Sequence, residues 1–127
     1  MRCGILRAMS RLVFLAAVAC AACDQTDNDR PATLEYITAA ILQPYCSQNV
    51  CHSSYARVKG YAFDTVAEAR KSLQGIVVPN DPESSLLSIV LTRNVKRMPY
   101  DAPLANKDIE LIQQWIMQGA PGLTETP

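Results

Sequence analysis

The 127-residue chain is 49% hydrophobic and 6% aromatic, with twelve basic residues against twelve acidic ones. That is enough apolar material for one small core and too little for several domains. A chain of zero formal charge lacks the broad basic field of a nucleic-acid binder.

The front of the chain stands apart. Arg2, Arg7 and Arg11 flank the start of an apolar run over 12–19, and small residues continue to Cys23, the layout of a secretory signal peptide. A run of eight residues is too short to span a bilayer. Because it ends in cysteine, the segment resembles a bacterial lipoprotein signal, whose mature chain begins at a lipidated cysteine. That resemblance implies a signal peptide over 1–22 with lipid on Cys23, Cys20 being the alternative. Neither cysteine has a leucine three residues upstream, where Cys20 and Ala17 stand instead, so a plainly secreted chain is the competing reading. Loss of 1–22 removes three arginines and no acid, leaving nine basic and twelve acidic residues, a formal charge of −3.

Residues 23–32 read as a flexible tether, polar over 24–31 and without apolar periodicity. The domain is expected over 33–121, with a tail at 122–127. Leu34, Ile37, Ile41 and Leu42 recur at helical spacing behind Thr33, a plausible N-cap, and predict a helix over 33–43 that Pro44 ends. Tyr61-Ala62-Phe63 reads as core, followed by a helix that Asp64 caps, running to about Leu73 and broken at Gly75. Asp81 as N-cap, Pro82 as first residue and the face Leu86, Leu87, Val90, Leu91 predict a helix over 82–92. Asn106 as N-cap, the repeat Ile109, Ile112, Ile116 and the stop Gly119 with Pro121 mark the last helix. No alternating run reads as a strand, so the expected class is all-α with about four helices.

Between the first two helices lies Cys46-Ser47-Gln48-Asn49-Val50-Cys51-His52. It resembles the haem-attachment site of c-type cytochromes, in which two thiols add to the haem vinyl groups and the adjacent histidine ligates iron. Four residues separate the cysteines where two are usual, so the loop must bulge. Once the signal has gone, Cys46 and Cys51 are the cysteines left besides the lipidated one. In an exported chain they form either a disulfide loop or a pair of thioethers.

More of the chain carries the resemblance: Ile41 through Cys46, then Val78 through Leu87, then Arg97-Met98-Pro99, and finally Ile109 through Ala120. In that order they resemble the cytochrome c-like domain of bacterial envelope lipoproteins of the planctomycete and myxobacterial kind. The resemblance implies a small monohaem cytochrome c fold holding one covalent haem c, with His52 as proximal and Met98 as distal iron ligand. His52 is the only histidine, which rules out two histidine ligands within one chain. Met1 and Met9 leave with the signal; Met117 lies on the terminal helix, where such a side chain usually fills core gaps. Met98 is in a loop, held extended by Pro99.

With both axial positions filled, outer-sphere electron transfer is expected and catalysis is not, in a lipid-anchored envelope protein facing the periplasm or the exterior. Its partners would be redox proteins and the membrane, with no nucleic acid. Arg93, Lys96 and Arg97 beside the Met98 loop pair with haem propionates, form a docking patch for an acidic partner, or simply solvate the loop. Tyr45 and Trp115 read as core or haem packing. The competing function is a cofactor-free, disulfide-stapled lipoprotein serving as a structural or interaction module. A zinc site built on Cys46, Cys51 and His52 lacks a fourth ligand. A peroxidase lacks a distal histidine.

Overall fold

A computed structural model describes residues 28–124. The signal peptide, Cys20 and Cys23 lie outside these residues, as does the end of the tail. The described residues are helical and contain no strand, which establishes the all-α class.

The first helix is composite. Segment α1 (Leu34–Ile37) runs into a π-helical stretch (Thr38–Leu42) and on into α2 (Gln43–Cys46) without interruption. Thr33 caps it, its hydroxyl oxygen accepting from the Tyr36 N–H at 3.2 Å, and Leu34, Ile37, Ile41 and Leu42 are fully buried. Pro44 therefore does not end this helix. The π register has Gln43 donate to Thr38 O, five residues back, and Pro44 enters at the start of the next α segment, where a missing N–H costs least. The helix consequently carries Cys46 as its last residue.

Helix α3 (Val66–Leu73) is capped by Thr65, which accepts from Glu68 N at 3.2 Å. Asp64, expected in that role, is turned toward Ser54 instead. Helix α4 (Leu86–Thr92) begins four residues later than the Asp81-Pro82 signal suggests. Asp81 caps a turn, accepting from Ser84 N at 3.0 Å. The Ser85 hydroxyl then ties that turn back to Val78 and Asp81, so the real N-cap spends its side chain on tertiary bonds rather than on its own helix.

Helix α5 (Asn106–Met117) is the longest, starting one residue past Ala105, so Asn106 is helical rather than the cap. Leu111, Ile112, Trp115 and Ile116 have no exposed surface. The Trp115 indole N–H donates to Pro121 O at 3.0 Å, which satisfies its polar edge inside the core. Gly119, at φ +89, supplies the left-handed residue that turns the chain out of the helix. Met117 is 60% exposed and fills no core gap.

Helices α1, α3, α4 and α5 share one core with Phe63, Leu73, Val77 and Leu104. Its edges reach beyond the expected limits. Arg70 and Gln74 donate to Gly122 O and Leu123 O, and Leu123 is buried. At the other end Asn28 and Arg30 dock on α5, donating to Lys107 O and pairing with Asp108, so the last residues of the expected tether belong to the folded unit.

Candidate functional site

Cys46 ends the first helix, and the chain then turns back on itself. Cys51 N donates to Gln48 O at 2.8 Å and His52 N to Cys46 O at 3.0 Å, so the peptide of His52 closes the cysteine loop onto its own beginning. Phe63 N donates to His52 O at 2.8 Å. The backbone on either side of the imidazole is thereby fixed before its side chain makes any contact.

The ring is fixed as well. His52 Nδ1 lies 2.9 Å from Val58 O. A carbonyl only accepts, so Nδ1 carries a proton, and in the neutral ring the lone pair is then on Nε2. Phe63 meets the imidazole edge-on, with centroids 5.5 Å apart and planes at 66°, and Tyr61 lies 6.0 Å away. Tyr61 and Phe63 stack nearly parallel, and Phe63 is rooted in the core. The Ser72 hydroxyl on α3 bonds both Ala62 N and Ala62 O, at 2.9 and 3.0 Å, and so holds the peptide between the two rings.

Val58 was not legible as part of the site. It sits between two left-handed residues, Arg57 at φ 42 and Lys59 at φ 58, with Gly60 at φ 84 beyond them. Neither Arg57 nor Lys59 is glycine, and the left-handed region costs such residues about 1–2 kcal/mol each. What the turn secures is a residue, Val58, whose N–H reaches Cys51 O at 3.2 Å while its carbonyl receives the imidazole. Further bonds hold the strained turn in place: Arg57 pairs with Glu68 at 2.9 Å, and Ser54 gives both its N–H and its hydroxyl to Asp64.

Both cysteines are free thiols and partly buried. Burial, reinforced by the neighbouring Cys51, pushes the Cys46 thiol up to about 12. At neutral pH it stays protonated. Among the described residues no three His, Cys, Asp or Glu side chains gather into a metal-holding group.

Backbone hydrogen bonds thus close Cys46, Cys51 and His52 into one loop, without gathering their side chains into a metal-holding group. Met98 lies on another. Its N–H donates to Val90 O at 2.8 Å, pinning the loop to α4, and the residue is 38% exposed. No hydrogen bond links this loop to the His52 cluster. Arg93, beside it, donates from Nε to Lys96 O at 2.7 Å. Tyr45, read as core or haem packing, is 52% exposed beside the cysteine loop and so is not part of the core.

The donor set suits a covalently held haem. It offers two thiols flanking one loop and an imidazole whose free nitrogen is Nε2, its other nitrogen tied to a carbonyl as metal-bound histidines usually are. It does not suit structural zinc, which needs four ligands. No family model, no curated protein and no solved structure matches the chain.

Proposed function

We propose that the chain is an exported monohaem c-type cytochrome that carries electrons at the cell envelope, anchored by lipid on Cys23. The observation that supports this most is the imidazole of His52, oriented by the Val58 carbonyl and closed onto Cys46 by its own backbone. A histidine serving only as filler has no need of a strained turn to fix its tautomer.

Bound there, haem would supply a one-electron couple between ferric and ferrous iron. The chain's own residues do the rest. Cys46 and Cys51 would hold the group as thioethers, each thiol adding its S–H across a vinyl double bond with no external oxidant. His52 presents Nε2, and the Val58 hydrogen bond makes it a stronger donor. Met98 would offer a thioether, which favours the ferrous state. Tyr61 and Phe63 exclude water from one side of the ring.

The competing reading is a disulfide between Cys46 and Cys51, favoured by the proximity that lets the Cys46 thiol feel Cys51. One measurement separates the two. The mature protein, purified under denaturing conditions from a host equipped for cytochrome c maturation, is weighed by mass spectrometry and its reduced-minus-oxidised spectrum is recorded. One added haem with c-type bands is expected, and Cys46→Ala should lose or greatly weaken its retention. A mass lacking haem and two hydrogens would assign the chain to disulfide-stapled structural lipoproteins. On the haem-loaded protein, Met98→Ala should keep the haem, lower its potential and open the iron to carbon monoxide. An unchanged spectrum and potential would remove Met98 from the site.

A further inference from the structure

Two hollows open between α4 and α5, of about 380 and 250 Å³. Thr92 and Gln113 line both, so they adjoin. The larger has an apolar floor that includes Leu91, Leu104 and Ile109, and Arg93 and Arg97 stand in its wall. Arg97 Nε is buried and has no hydrogen-bond partner among the described residues. An unsatisfied guanidinium nitrogen is costly to bury, and the group it fits best is an anionic oxygen. Asn106, the first residue of α5, lines the same hollow. That helix has no side-chain cap, though Asp108 N and Ile109 N bond Ala105 O and Asp108 itself is paired with Arg30, so the dipole at its start adds to the attraction for an anion. Among the described residues, Glu110 is the one acid in the lining.

The chain's own exit lies beside this hollow. Asn28 and Arg30 are clamped to Lys107 O, one residue from Asn106. Cys23 is five residues upstream of Asn28. Whatever its conformation, a segment of that length spans at most about 17 Å. A lipid on Cys23 therefore holds α5's N-terminal turn, and the hollow with it, close to the headgroups.

We propose that the Arg93–Arg97 hollow takes the phosphate of an anionic lipid headgroup and so settles the domain on the membrane that anchors it. This rests on the lipidated reading of Cys23. The overall charge of −3 for residues 23–127 does not oppose it, because ionic screening beyond about 8–10 Å leaves the local pair of arginines to dominate.

The test is flotation of the mature chain carrying Cys23→Ser, so that no anchor contributes, with vesicles of phosphatidylcholine alone or mixed with phosphatidylglycerol. Preferential binding to the mixed vesicles is expected, abolished in about 1 M salt. Arg97→Gln and Arg93→Gln should each weaken it about fivefold, while Arg97→Lys, which keeps the charge, retains most of it. The arginine variants are compared only at unchanged thermal midpoint, and Arg93→Gln keeps the test open should Arg97→Gln fail to fold. Equal binding to both vesicle types, or undiminished binding by both Gln variants, would overturn the proposal. So would uptake of inorganic phosphate with no preference among vesicles, which would assign the hollow to free phosphate. Lipidation is read separately, from the mass of the exported wild-type chain: an unlipidated chain that still prefers the anionic vesicles sinks the anchor and leaves the hollow standing.

Discussion

Helix α5 buries Leu111, Ile112, Trp115 and Ile116 completely, whereas the loop that carries His52 leaves Val50 80% and Tyr55 95% exposed. Yet the loop is no less specified. It is held by His52 N to Cys46 O, Val58 N to Cys51 O, Phe63 N to His52 O and the two bonds from Ser54 to Asp64. The helix is secured by removing apolar surface from water, which is strong and non-directional. The loop is secured by directional bonds, each modest alone, and directional bonds are what an oriented imidazole requires. The scaffold supplies stability and the loop supplies geometry, so substitutions in the two regions should fail in different ways.

Trp115→Ala should produce the largest effect. It empties the centre of the core and orphans Pro121 O, costing about 3–5 kcal/mol, seen as a fall in thermal midpoint of more than about 10 °C. A shift of only a few degrees would mean that α5 is not the keystone of the fold. Ser72→Ala probes the junction between the regions. It leaves the buried Ala62 N–H unsatisfied, at about 1–3 kcal/mol, and should loosen the Tyr61–Phe63 pair around His52 more than it disturbs α5. Hydrogen exchange that rose equally in both regions would erase the distinction.

The smallest effect, and the sharpest, concerns pH. The Ser54 hydroxyl and then its N–H hold the Asp64 carboxyl below its ordinary 3.8. A depressed folded value means that this support is complete above the unfolded value and is lost as pH falls through the folded one. The Ser54 amide resonance should therefore shift in strong acid while that of the Trp115 indole, bonded to a carbonyl, does not. In Asp64→Asn the acid-induced shift of Ser54 should be gone. Coincident titration of both signals would show one cooperative unit rather than two.

The scaffold was legible in the sequence where apolar periodicity ran long enough: α5 and the buried face of the first helix lie where spacing puts them, whereas α4 buries Leu87, Ser88 and Leu91 and leaves Leu86 43% exposed. Misreadings came from local competition. Pro44 signals a helix end because an α register cannot accept it in mid-helix, but a π turn just upstream can. Asp64 and Thr65 are adjacent good caps, and which one serves depends on Ser54, ten residues away. Met117 follows Ile116 but points about 100° around the helix from it, outside the buried stripe. Of the site, Cys46, Cys51 and His52 declared themselves by type and adjacency. Val58 did not, because what it contributes is a backbone carbonyl, and any residue has one.

The π stretch of the first helix has a consequence for how the chain serves core and site together. In a regular helix each position's direction is fixed by every other, so a sequence that buries Leu34, Ile37 and Ile41 would also dictate where Cys46 points. One additional residue in the turn offsets everything after it by about 100°. Thr38–Leu42 is in effect a phase shifter. The half of the helix that feeds the core and the half that delivers the first cysteine are aimed separately, though they are a single rod.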